Sequence, residues 1–434
     1  MREMKDSGIA WIGAMPRAWK MNTIAQIFLQ VKCKNTGLQE KNLLSLSYGK
    51  VKRKSIDTVE GLLPESFDGY NIIEKDDIVL RLTDLQNDHT SLRVGLAEER
   101  GIITSAYLTI RNRSNFCPKY LYYYLHSFDI AKGFYGMGAG VRQGLNWDGV
   151  KWLKILAPSV PEQERIAAFL DAECAEIDTV LEKTRASIEE YKKLKQAVIT
   201  QAVTKGVRGD RPMKDSGIEW IGDIPAEWEI RKIFRTINKV GDIDHYMPGS
   251  VDDGIPYLMT GDLQEKLSDV NLKRCKKVSF QDYEMLSSKI RVSKGDAVFA
   301  RYATIGTVCF VDTEDNILVS YACLIIKPNS SLLYGEFLFY YLKSTAFLEE
   351  IKQYIKANTQ ANVGLDSVSK AKIALPSVHE QQKIVEYLRD KCKKIDALIA
   401  KKQQYLTEIE NYKKSLIYEY VTGKKEVKTS VLAD

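Results

Sequence analysis

The sequence predicts a mixed α/β (α+β) chain: two similar globular domains separated by two long coiled-coil helices, written as an internal repeat. Three observations predict it. The stretch MKDSGIAWIGAMPRAW at 4–19 returns as MKDSGIEWIGDIPAEW at 213–228, with eleven of sixteen positions identical. A second pair, LKILAPSVPEQERI at 153–166 and AKIALPSVHEQQKI at 371–384, follows at a similar offset. After each of these runs a long stretch in which apolar residues step alternately by four and three. Self-similarity over such distances is the mark of a duplicated unit.

The elements follow in order. A chain of 434 residues is too long for one ordinary core. Between the repeated segments lie fainter echoes: KDDIVLR (75–81) with KGDAVFAR (294–301), ITSAYLTI (103–110) with LVSYACLII (318–326), and YLYYYL (120–125) with FLFYYL (337–342). The runs at 78–82 and 297–300 are short and apolar after acidic turn residues, which predicts buried strands. Residues 102–110 and 317–326 read as longer strands, and 120–128 and 337–348 as helices. The aromatics of 120–124 and 337–341 suggest a stacking surface, but their helical spacing favours core. Trp11, Trp19, Trp220 and Trp228 read as packing anchors of the repeated opening line.

Ser159 with Glu162, and Ser377 with Glu380, fit the S-x-x-E capping box of a helix start. The seam of the first helix is Leu170, Cys174, Ile177, Leu181, Thr184, Ile188, Tyr191, Lys195 and Val198. That of the second is Leu388, Cys392, Ile395, Ile399, Lys402, Leu406, Ile409, Lys413 and Leu416. This is a heptad pattern, and one such helix cannot bury its seam alone. Some forty-four residues make a rod of roughly 65 Å. Each helix is expected to end near a glycine, Gly206 or Gly423. Thr184, Lys195, Lys402 and Lys413 interrupt the seam, either loosening it or setting its register. The expected boundaries are globular domains at 1–152 and 208–370, helical segments at 153–207 and 371–426, and a tail at 427–434.

Composition narrows the function classes. Hydrophobic content of 44% and charged content of 28% are those of a soluble globular protein. No run of eighteen apolar residues is present, and no basic-then-apolar leader opens the sequence. Seven dispersed cysteines without a CxxC pair read as reduced thiols of a cytoplasmic protein. A net charge of +6 is compatible with nucleic acid but weak alone. No nucleotide loop, nucleophile elbow, metal-ligand spacing or flipped-adenine methyltransferase motif is found, so no catalytic or metal residue is assigned. His89, His126, His245 and His379 stand far apart and read as surface or core residues.

Binding residues are easier to nominate. Lys52, Arg53 and Lys54 form one basic cluster, and Lys273, Arg274 and Lys276 another, where a solvated loop is the competing reading. Arg142, Gln143 and Asn146 in a glycine-rich loop, and Gln360 and Asn362 in its counterpart, have the side chains for bidentate contacts to base edges. Amides capping an ordinary turn explain them equally well. Arg81 and Arg301 end apparent strands, where a buried ion pair competes with a DNA contact.

The opening line, two variable domains and a PSVPEQERIAAFLD-type helix start after each resemble the specificity subunits of type I restriction–modification systems, across the whole chain. The resemblance implies two target-recognition domains, each reading half of a split duplex DNA sequence. It also implies that the helices run antiparallel about a pseudo-two-fold axis, set the gap and dock two adenine methyltransferase subunits, with endonuclease and translocase subunits joining the assembly. S-adenosylmethionine and ATP then belong to those partners, and this chain has no cofactor. His379 stands where Pro161 keeps the proline usual at the helix start, a small departure. A coiled-coil protein–protein adaptor, or the recognition half of a DNA methyltransferase or nuclease, are the alternatives.

Overall fold

The structure is a computed structural model that describes residues 2–55, 66–85, 90, 92–137, 144–302, 304–354 and 362–427. It divides into two compact units, Met1–Arg185 with Gln404–Asp434, and Ala186–Gln403. Both long helices, Val160–Lys205 and Val378–Val421, give one part to each unit.

The first unit is built on a four-stranded antiparallel sheet in the order Phe28–Gln30, Leu108–Asn112, Ile78–Leu80, Val94–Leu96. The expected strand at 78–82 is fully buried over Ile78–Leu80. The expected long strand at 102–110 is in fact two, Gly101–Ile103 and Leu108–Asn112. A turn separates them, closed by the Tyr107 amide on Thr104 O. The first piece leaves this sheet to pair with Asn71–Ile73. The helix Pro118–Ile130 starts on a proline, whose missing N–H costs nothing in the first turn. Tyr120 and Tyr124 are fully buried, and their hydroxyls donate to Leu156 O and Lys154 O at 3.0 Å. Core is therefore the right reading of the aromatic run.

The second unit repeats the plan. Its sheet runs Ile237–Gly241, Cys323–Pro328, Ala297–Ala300, Val308–Phe310, again antiparallel. The expected strand at 317–326 is again two, Leu318–Val319 and Cys323–Pro328, and the first joins a separate three-stranded sheet. The expected helix at 337–348 is two helices, Gly335–Lys343 and Thr345–Lys352. Ser344 divides them: its hydroxyl donates to Tyr341 O at 2.6 Å and accepts from Phe347 N at 3.2 Å. A serine offering both bonds can end one helix and cap the next.

Within each unit the two long helices run antiparallel. In the first, Phe169 meets Tyr420 with ring centroids 4.5 Å apart, Asp178 accepts from Lys413 at 2.6 Å, and Arg185 donates to Glu410 at 2.7 Å. In the second, Lys402 lies 5.7 Å from the Tyr191 ring and Lys195 binds Asp396 at 2.8 Å. One helix index rises as the other falls. Leu170, Ile177, Leu181, Ile188, Leu388, Ile395 and Leu416 are buried, and Val198, Ile399 and Leu406 partly so. Each fully buried leucine or isoleucine contributes about 1.5–3 kcal/mol. The helices stop where expected: Gly206 and Gly423 have φ of +74° and +73°. A Cβ on Gly423 would lie 2.4 Å from Pro16 Cγ.

The S-x-x-E reading needs correction. Ser377 Oγ does accept from the Glu380 amide at 3.3 Å, half of a capping box. The carboxylates of Glu162 and Glu380 turn away to the repeated opening line instead. Trp19 Nε1 donates to Glu162 at 3.1 Å, and Trp228 Nε1 donates to Glu380 at 2.9 Å. Arg2 and Arg211 complete each corner, paired to the same carboxylates and stacked on the same indoles. The neighbouring Gln163 and Gln381 are fully buried; they accept from Cys117 N and Tyr334 N and donate to Pro158 O and Pro376 O. The opening line and the helix start are therefore one joint, which is why both recur together. Pro161 and His379 are exposed at that helix start, consistent with a small effect of the exchange.

Candidate nucleic-acid interface

Each sheet delivers a pair of loops to one place. In the first unit the chain leaves strand Ile78–Leu80 through Arg81 and Leu82, and Leu82 O accepts from Leu145 N at 2.9 Å. Leu145 belongs to the glycine-rich loop. In the second unit the chain leaves Ala297–Ala300 through Arg301, whose carbonyl accepts from Val363 N at 3.1 Å. Val363 belongs to the counterpart loop. The two stretches nominated separately in each unit are thus joined by the same backbone bond.

That bond also fixes the true correspondence. The Arg81 amide donates to Arg93 O, and the Ala300 amide to Thr307 O, at the same step of the two sheets. Arg81 therefore matches Ala300, and Arg301 matches Leu82. The apparent pairing of Arg81 with Arg301 is one residue out of register, and one step along an extended chain turns a side chain to the other face. Leu82 is 1% exposed and packs in the core. Arg301, in the equivalent place, is half-buried and ion-paired with Asp242, and Nη2 donates to Tyr302 OH at 3.1 Å. Its Nε is buried without a hydrogen-bond partner among the described residues, as is Asn362 Oδ1.

Other nominees fall into three groups. Lys52 and Arg53 lie in the hairpin Leu44–Ser47 with Lys50–Arg53, and Lys54 follows it; all three are exposed. Arg53 grips Glu99 with two bonds, so its pKa is raised and that of Glu99 lowered, through that hydrogen bond first. Lys273 and Arg274 are exposed in a turn. Lys276 instead donates to Pro248 O at 2.5 Å and lies 5.5 Å from the Tyr257 ring, held by the protein itself. Asn146 caps the short helix Trp147–Val150, accepting from Gly149 N at 3.1 Å, as the turn-capping reading expects. Arg142, Gln143 and Gln360 lie outside the described residues, as does His89.

The seam lysines have partners that sequence reasoning missed. Lys195 binds Asp396 and Glu265, and Lys343 binds the same Glu265. Burial works to lower the Lys195 pKa and to raise that of Glu265, but the ion pairs win, leaving the lysine raised and the glutamate lowered. Lys413 repeats the arrangement on Asp178. Thr184 Oγ1 bonds back to Val180 O at 2.8 Å. Sequence reasoning also missed Arg93, fully buried behind the first loop pair, and Asp242, because neither belongs to a repeated motif. All seven cysteines are free, and among the described residues no His/Cys/Asp/Glu cluster suited to a metal occurs and no helix is long and apolar enough to cross a membrane.

The chain is thus a duplicated helix-and-sheet frame with a pair of loops on each copy. Residues 227–411 match the profile of the "Type I restriction modification DNA specificity domain". The chain is 25% identical, over 96% of both lengths, to the type I restriction enzyme MjaX specificity subunit of Methanocaldococcus jannaschii. It is 23% identical to the EcoBI specificity subunit of Escherichia coli, over 61% of this chain and 57% of that one. A solved chain from work on complex assembly and conformational transition of the type I R-M system shares the fold, with TM-score 0.68 and 16% identity over 95% of this chain and 99% of its own. Across its whole length the chain is thus similar to type I restriction–modification specificity subunits.

Proposed function

We propose that this chain reads a split duplex DNA target, one half with each recognition domain, and carries the subunits that act on it. The observation behind the reading is the repeated loop pair: two frames alike in topology present loops joined by the same bond but bearing unlike side chains. Like frames with unlike reading edges suit an asymmetric sequence. In this reading 1–152 and 208–370 are the recognition domains, 153–207 and 371–426 hold the gap between half-sites, and 427–434 is a tail. Exposed Lys52, Lys273 and Arg274 meet phosphates, while the glycine-rich loops with Arg142, Gln143 and Gln360 meet base edges. Two adenine methyltransferase subunits and the endonuclease and translocase subunits dock on the repeated frame and bring S-adenosylmethionine and ATP. The complex works in the cytoplasm.

Selection of random duplex DNA by the purified chain, with and without its methyltransferase subunit and at two salt concentrations, tests this. The expected result is a split motif with a fixed gap. No enrichment under any condition would replace this reading with that of a protein–protein adaptor.

A further inference from the structure

We infer that Arg93 is a positioning residue for base reading in the first unit, one that holds residues 81–84 and Tyr135, where the two reading loops leave the frame, from inside the protein. The inference rests on the proposed DNA-reading role.

Arg93 is 0% exposed. A guanidinium taken wholly out of water is costly unless every donor is matched. Its partners are mostly backbone. Nη1 donates to Arg81 O at 3.0 Å and Thr83 O at 2.7 Å, and Nη2 to Asp84 O at 3.3 Å. Nε donates to Tyr135 OH at 3.1 Å, and the guanidinium carbon lies 5.1 Å from the Tyr135 ring centroid. The Arg93 amide donates to Asp129 Oδ2 at 2.6 Å.

The three carbonyls belong to the turn by which the chain leaves the strand Ile78–Leu80. Asp84 there takes a left-handed φ of +56°. The remaining carbonyl, that of Leu82, points the other way and accepts Leu145 N from the second loop. The planar fork thus gathers residues 81, 83 and 84 on one side and leaves 82 to hold the second loop on the other. Tyr135 leads into that same second loop. A lysine keeps the charge but cannot span three carbonyls and a hydroxyl in one plane. A core-filling residue would need none of these bonds. The second unit has Thr307 at the equivalent place, so its loops are held by other means and serve as a control inside the same molecule.

The test is the duplex-DNA selection with the full chain carrying Arg93→Lys or Tyr135→Phe, with thermal melting of each sample. Wild type should enrich a split motif. In Arg93→Lys, base preference at one half-site should weaken roughly ten-fold, the scale of a lost bidentate base contact. The other half-site and the salt dependence of affinity should be unchanged. If Arg93→Lys does not fold, Tyr135→Phe carries the test, with a smaller loss confined to the same half-site. A folded variant that keeps both half-site preferences, or loses both equally, overturns the inference. A wild-type chain that enriches no motif removes the DNA-reading role itself, and this inference with it.

Discussion

At the joint where sheet meets helix, Arg2, Trp19 and Glu162 in one unit do what Arg211, Trp228 and Glu380 do in the other. At the loop edge the correspondence ends. One unit buries Arg93 under its loops; the other has a threonine there and ties Arg301 to Asp242 instead. The frame is held by side chains that reach across the fold to partners in a second motif, so both members must be kept. The loop edge is held by whatever fits locally, and is free to differ.

The largest test of this contrast is on the shared side. Trp228 is 1% exposed and Trp19 3% exposed. Replacing either with alanine should cost about 3–5 kcal/mol by denaturant unfolding, and by similar amounts in the two units. A large inequality would show that the joints are alike in shape only.

Acid separates the units next. In the first, burial, helped by Lys413, lowers His126 to about 4, while burial raises Asp129 to about 6. The imidazole's folded pKa lies below its unfolded one, so its contribution is lost as pH falls from about 6.5 towards 4. The carboxyl's folded pKa lies above its unfolded one, so its contribution is gained as pH falls through 6. Each is worth up to about 3 kcal/mol, and in the wild type they nearly cancel. Asp129→Asn should therefore steepen acid destabilisation between pH 7 and 4, and His126→Phe should reverse its sign. The histidines of the second unit, His245 and His379, are exposed, but burial raises Asp296 and Glu350 there, so only the carboxyl effect is expected.

Smaller still is the seam. Lys413→Asp should cost about 1–2 kcal/mol, and adding Asp178→Lys should restore most of it. The matching exchange of Lys195 and Asp396 should restore less, because Glu265 lies 2.9 Å from Lys195, whereas the third charge at the first pair, the exposed Lys50, lies 3.6 Å from Asp178. Melting of the four single and two double variants checks the order. The smallest effect is expected from Asp242→Asn, which releases Arg301 and Lys289. The slope of log affinity for duplex DNA against log salt should steepen by no more than about one unit.

How much of this was legible depended on the distance over which a pattern is written. The long helices could be read because a heptad sustained over forty-odd residues has few rivals. The strands at 102–110 and 317–326 each break in two because runs so short do not reveal a turn within them. Arg81 and Arg301 looked like counterparts because each ends an apolar run, but the second run is one residue longer. The seam lysines were visible as interruptions, while Asp178 and Asp396 were hidden among ordinary surface charges. Arg93 carried no signal: a lone arginine after a loop gives no hint that three carbonyls fold back on it.

The two seam pairs have a further property. Asp178 and Lys195 stand in the first copy of the repeat, and Asp396 and Lys413 are their counterparts in the second. Each bond is therefore encoded half in one copy and half in the other. A gene rearrangement that replaced a whole copy with another of the same pattern would leave both bonds intact. One that altered a single helix would damage both at once. Inheritance can thus exchange the loops freely, but must treat the aspartate and the lysine of each copy as one word.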